Sequence, residues 1–139
     1  MSRNDLRSLF EAALTAQKAA YAPYSGYRVG AALRTPSARI FAGCNVENAS
    51  FPVGLCAEAG AISAMVAAGE RVMAEMLVVG DGEALATPCG ACRQRIREFA
   101  APETPIHIAD RNGIRASFGQ SSLLPHSFGP YNLAGNRRD

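Results

Sequence analysis

Apolar residues recur at intervals of three and four near the start of the chain. Leu6, Leu9, Phe10, Ala13 and Leu14 form one stripe of a helix predicted over about Asn4 to Ala20, with Asn4 as its cap. Tyr21-Ala-Pro-Tyr-Ser-Gly-Tyr27 breaks it, punctuated by Pro23 and Gly26. Val29 to Thr35 and Arg39 to Val46 read as two strands joined at the turn Thr35-Pro-Ser-Ala38. Glu47 to Gly54 reads as a loop. An Ala-rich helix follows from about Cys56 to Ala68, with Gly69 just past its last turn. The continuous apolar run Met76 to Val79 predicts a buried strand. Asp81 to Pro88 is loop, and Cys89 to Phe99 a second helix that opens on a cysteine. Pro105 to Ala109 is a strand, Asp110-Arg-Asn-Gly113 a turn, Ile114 to Phe118 a further short strand, and Ser121 to Leu124 a helical turn. The tail is expected to be loose from about Gly129.

Strands alternating with helices imply a sheet with parallel members, covered by helices on both faces. The expected fold is therefore α/β: a three-layer α/β/α sandwich around a mixed sheet of about five strands. Residues 1–139 are expected to form one domain, since domains commonly run to about 100–200 residues. At 48% hydrophobic and 19% charged residues, the balance is that of a globular chain and excludes a disordered one. The longest apolar-looking run, Ala59 to Gly69, falls well short of the ~20 residues a membrane span needs. The start shows no basic segment followed by an apolar core and cleavage site, so the expected location is the cytoplasm. Net charge is +2, and the basic residues, all Arg except Lys18, are scattered along the chain. No stripe suited to a nucleic-acid backbone emerges, so neither nucleic acid nor membrane is an expected partner.

The four cysteines, Cys44, Cys56, Cys89 and Cys92, change the picture. Cys89-Gly-Ala-Cys92 puts two sulfurs on one side of a first helical turn, and Cys56 opens the earlier helix. Helix starts carry unpaired N–H groups and partial positive charge, which favour thiolate. Three thiolates hold zinc and leave a fourth position for water, the arrangement of a catalytic rather than a closed structural site. Glu58, two residues beyond Cys56, is placed to handle that water's protons. Other readings stand beside this one. Cys44 could complete a structural site, though a buried thiol on a strand accounts for it. A redox Cys-x-x-Cys would leave Cys56 and Glu58 without a role. Glu58 alone would also suit a helix N-terminus.

Cys56-Ala-Glu58 followed by Pro88-Cys-Gly-Ala-Cys92 has the form of the zinc deaminase signature. Tyr21-Ala-Pro-Tyr-Ser25, Val29-Gly-Ala-Ala-Leu33, Gly43-Cys-Asn-Val-Glu-Asn-Ala-Ser50, Pro88-Cys-Gly-Ala-Cys-Arg-Gln94 and Leu123-Leu-Pro125 with Phe128 narrow it. From about Leu6 to Leu133 the chain resembles the small homotetrameric cytidine deaminases. The resemblance implies a zinc-dependent hydrolase that converts cytidine and deoxycytidine to uridine and deoxyuridine plus ammonia, in pyrimidine salvage. It implies one Zn²⁺ per chain on Cys56, Cys89 and Cys92, and Glu58 as the proton carrier between water, the pyrimidine N3 and the leaving amine. By the same resemblance Asn45 and Glu47 hold the sugar 3′-hydroxyl, the backbone N–H of Ala57 meets O2, and Tyr27 lines the base pocket. Phe128 reaches into a neighbouring subunit's site, so active sites are shared within a homotetramer. Asn45 and Glu47 also make sense from the residues, being two apart on a strand end and so on one face. They could equally be a polar strand end, and Tyr27 and Phe128 plain core.

Three positions depart from the family pattern. Ala59 stands where an Arg usually donates to the zinc thiolates, Phe51 where Tyr is usual, and Arg28 where Pro is common. Without the first, three thiolates outweigh Zn²⁺ by one charge, and the expected compensation comes from the helix N–H groups, helped by Arg93 just beyond Cys92. Two rival readings remain: a deaminase of a modified cytosine nucleoside such as blasticidin S, and a catalytically dead, zinc-stabilised binding module. Asn45 with Glu47 argues against the first, and Glu58 against the second.

Overall fold

The computed structural model describes residues 3–136. Five strands form one sheet: β1 (Gly30–Arg34), β2 (Ile40–Cys44), β3 (Glu75–Val79), β4 (Pro105–Asp110) and β5 (Gly113–Gly119), in the spatial order β2-β1-β3-β4-β5. β3 and β4 run parallel and every other neighbouring pair is antiparallel. The mixed sheet expected from the sequence is thus present, and the short strand expected at Ile114 to Phe118 extends over Gly113–Gly119. Only the β3–β4 pair needs a helical crossover, and α3 (Gly90–Phe99) supplies it.

Side chains alternate across the sheet and sort the core into two layers. Ala32, Leu77, Val79 and Ala109 face α1 (Arg3–Lys18), which contributes the buried Leu9 and Ala13. Ala31, Leu33, Met76, Val78, Ile106 and Ile108 face the other way, toward Ala61, Ile62 and Met65 of α2 (Ala57–Ala67) and Ile96 of α3. β3 is buried along its whole length, which explains why its sequence is a continuous apolar run rather than an alternating one. Its first residue, Glu75, lies outside the predicted strand yet is 1% exposed. It is held by Arg34 at 3.3 Å and His107 Nε2 at 3.0 Å, partners without which so buried a carboxylate would be costly.

Element ends shift by a residue or two from the sequence reading. The helix already includes Arg3, so Asn4 lies within it rather than capping it. Gly69 adopts φ +92 and closes α2 as predicted, with its N–H on the Val66 carbonyl and that of Glu70 on the Met65 carbonyl. The expected 47–54 loop contains a 3-10 turn, Phe51–Val53; a four-residue helix α4 spans Gln120–Leu123; and Pro130–Asn136 winds into 3-10 turns where a loose tail was expected.

The register gathers one edge of the sheet into a site. Gly30, which opens β1, pairs with Cys44 at the end of β2 and with Val79 at the end of β3. The starts of α2 and α3 come to the same edge. α2 lies against β2 because Gly43 has no side chain: a Cβ there would sit 2.5 Å from Ala61 N and 2.6 Å from Ala57 O. Gly43 therefore sets how closely the first turn of α2, with Glu58, approaches the sheet.

Candidate active site and metal centre

Cys56 and Cys89 occupy equivalent places, each the residue immediately before its helix. Neither side chain caps its helix, so both sulfurs are free to face each other. Their Sγ atoms are 3.9 Å apart, and Cys92 joins them so that all three sulfurs lie within 4.8 Å of one another. Tetrahedral zinc with bonds of about 2.3 Å requires sulfurs about 3.8 Å apart, so the set fits that ion. Cys44 stays outside the cluster, which argues against the four-thiol structural site.

The electrostatics point the same way. Burial pushes the Cys92 thiol far above the ordinary range, and the Glu58 and Cys56 charges push it further. Burial also raises Cys56, against a lowering hydrogen bond with Cys92. At Cys89 burial acts upward but is outweighed by hydrogen bonds from the Cys92 backbone N–H and with the neighbouring thiols, so this group is lowered. Cys56 and Cys92 thus resist ionising beside the more acidic Cys89, and a divalent cation between the three would favour the thiolate form of all of them.

Glu58 is 5% exposed in the first turn of α2. Burial raises its carboxyl, against smaller lowering effects from its own backbone N–H, Cys92 and Arg95. It lines a cavity of about 520 Å³ together with Cys56, Cys89 and Ala57, within the usual size range for small-ligand sites. Tyr27, Val29, Val78, Asn45, Glu47 and Phe51 also line it.

The sequence profile of the cytidine and deoxycytidylate deaminase zinc-binding region matches residues 3–108. The chain belongs to this deaminase family. It is 36% identical to the cytidine deaminase of Sporosarcina psychrophila over 130 residues, 94% of this chain and 96% of that one. Among solved structures, the cytidine deaminase of Burkholderia pseudomallei superimposes with a TM-score of 0.83 at 40% identity, covering 92% of this chain and all of that one. That of Mycobacterium tuberculosis gives 0.76 at 34% identity, over 88% and 96% of the two chains. The α/β fold and the zinc cofactor expected from the sequence are those of the family.

The polar pair of the cavity lining, Asn45 and Glu47, has a second occupation. Asn45 Oδ1 accepts from the Val29 N–H at 2.8 Å, and its Nδ2 donates to the Tyr27 carbonyl at 2.9 Å. Glu47 accepts from the Tyr24 N–H at 2.9 Å, the Ser25 N–H at 3.1 Å and the Ser25 hydroxyl. The Ser25 hydroxyl, then the backbone bonds, hold the Glu47 carboxyl below the ordinary range despite opposing desolvation. Both residues line the cavity and at the same time pin the 24–29 segment that forms one wall. Tyr27 is seated with its ring beside Gly80, where a Cβ would come within 2.7 Å of the hydroxyl. Phe51 is 73% exposed at the rim, edge-on to Tyr24 with ring centroids 5.7 Å apart.

Two residues singled out from the sequence do not line this cavity. Phe128 does not line the cavity of its own chain. It is half exposed, and α3 fixes its segment through Gln94 Nε2 on the Phe128 carbonyl at 2.8 Å and Arg97 Nε on Ser127 Oγ at 3.1 Å. Arg93 does not reach the thiols. It splints the site's surroundings instead, donating to the carbonyls of Pro88 at 2.7 Å and Leu123 at 2.9 Å. The reason is helical period: one residue beyond Cys92 points about 100° away, whereas Arg95, three beyond, shares its face. Arg95 Nη1 lies 3.3 Å from Cys92 Sγ. The spacing from Cys92 could have singled it out from the sequence.

Proposed function

We propose that this chain is a zinc-dependent hydrolase that deaminates cytidine and deoxycytidine to uridine and deoxyuridine with release of ammonia, serving pyrimidine salvage in the cytoplasm. The observation that carries the reading is one cavity lined by a buried carboxyl, by two thiols of a three-thiol cluster and by an amide–carboxylate pair. Cys56, Cys89 and Cys92 would hold the zinc. When bound, zinc supplies a Lewis acid that brings the pKa of a water from ~15.7 to about 7–9.

Glu58 carries the protons. It takes one from the attacking water and delivers it to the pyrimidine N3, and it next helps protonate the amino group that leaves C4 as ammonia. Its raised affinity for a proton, a result of burial, suits a group that must hold one between transfers. The Ala57 N–H belongs to the first turn of α2, whose N–H groups have no partner inside the helix, and it meets the pyrimidine O2. Tyr27 walls the base, Asn45 and Glu47 take the sugar 3′-hydroxyl, and Phe51 borders the sugar side. Phe128, held on the outer side of α3, completes a neighbouring subunit's site. With exposed Phe51, Val53 and Leu55 around the mouth, this favours a homotetramer with shared sites.

The test is ammonia release from a panel of cytidine, deoxycytidine, free cytosine and blasticidin S by the zinc-loaded protein. Turnover of both nucleosides, with free cytosine far slower, is the expected result. Turnover of blasticidin S alone, or of none of the four, would overturn the proposal.

A further inference from the structure

The charge count at the thiol cluster calls for a counter-charge beyond the helix N–H groups, and Arg93, the helper expected from the sequence, does not supply it. Three thiolates and one Zn²⁺ sum to −1, and the Glu58 carboxylate adds negative charge beside them. Cys92 is fully buried, so water cannot solvate its share, and a buried charge needs a partner. Ala59 and Ala91, the residues next to Glu58 and Cys92, offer no side-chain donor. Arg93 is engaged with two carbonyls. Arg95 Nη1, one helical turn on from Cys92, donates to its Sγ at 3.3 Å. The Arg95 charge acts on Cys92 most, on Cys56 and Cys89 as well, and on Glu58. The exposed Arg95 therefore meets the cluster at Cys92 from the solvent side of α3.

We propose that Arg95 is a positioning residue of the metal centre: its guanidinium balances the excess negative charge of the three-thiolate set and fixes the Cys92 sulfur, so that metal loss is slow. The role belongs to this chain's own solution of the charge problem, with the cation placed on α3 rather than beside Glu58 on α2. It rests on the zinc reading above.

The experiment follows zinc release rather than turnover. Zinc-loaded wild-type protein, Arg95→Gln and Arg95→Lys are mixed with excess 4-(2-pyridylazo)resorcinol, and the coloured complex is timed at low and high salt. Arg95→Gln should release zinc about 10–100-fold faster than wild type, the usual cost of removing a group that supports a metal ligand. Arg95→Lys, which keeps the charge and loses the planar fork, should fall between. Wild-type release should quicken in high salt as the exposed cation is screened, and release from Arg95→Gln should respond less. A purely steric role for Arg95 predicts no such difference in salt response, and that outcome overturns the proposal. So does wild-type-like release from Arg95→Gln while the wild type holds one zinc per chain. A wild-type chain that binds no zinc overturns the metal reading and this one with it.

Discussion

The two sides of the cavity are built in opposite ways. On the metal side, Cys56, Glu58, Cys89 and Cys92 stand at the starts of two helices that pack against the sheet, and Glu58 and Cys92 are buried. At the rim, Tyr24, Ser25 and Phe51 are exposed and Glu47 is half-buried, held by a local web of hydrogen bonds and one ring contact. Burial on the first side shifts proton affinities and places charge where little water can screen it. On the second side water competes for every polar group, so single contacts there are worth less. Under the proposed function, bond-making belongs to the helix starts and selection among substrates to the rim. Changes on the metal side should act on kcat and metal content, and changes on the rim on KM.

The largest effect should come from Cys89→Ala. It removes one of the three thiols, so zinc content by elemental analysis should drop to near zero and deamination with it. Melting temperature should fall as well, because the metal ties α2 to α3 and its binding energy is folding energy. Normal zinc content in this variant would remove Cys89 from the centre.

Glu47→Gln is the intermediate case. It keeps the shape but weakens the bonds to Ser25 and to a substrate hydroxyl. Hydrogen bonds to charged groups are worth about 1.5–3 kcal/mol, so KM for cytidine should rise about 10–100-fold. kcat should change far less, and an equal loss in kcat with unchanged KM would place Glu47 in the chemistry and break the division. Phe51→Tyr should matter least. At an exposed rim position its effect on stability should stay within about 0.5 kcal/mol, with only a few-fold change in KM for ribose or deoxyribose nucleosides. A comparable change in kcat would mean that the rim reaches the reacting centre.

The same contrast explains what was legible in the sequence. The helix-start chemistry could be read because its determinants are local: Cys-x-x-Cys and Cys-x-Glu sit in single turns, and periodicity placed those turns correctly. The alternating and continuous apolar runs also located every strand of the sheet. What escaped depended on contacts between distant segments. Glu75 looked like a residue outside the strand because its partners, Arg34 and His107, come from two other strands. The clamp of Asn45 and Glu47 on residues 24–29 required knowing that the start of β1 lies beside the end of β2. Arg93 was preferred to Arg95 by adjacency in sequence, where helical period should have decided.

The central claim is that metal binding and proton transfer reside in different side chains of one cluster at the starts of α2 and α3. Glu58→Gln tests it most directly, since it preserves size and hydrogen-bonding reach but cannot take up the water's proton. Zinc content and cytidine turnover are to be measured on the same preparation. The account predicts about one zinc per chain by the three-ligand argument and a loss of deamination of about 10⁴-fold, the upper part of the general acid–base range. Near-normal turnover, or loss of the zinc together with the activity, would contradict it.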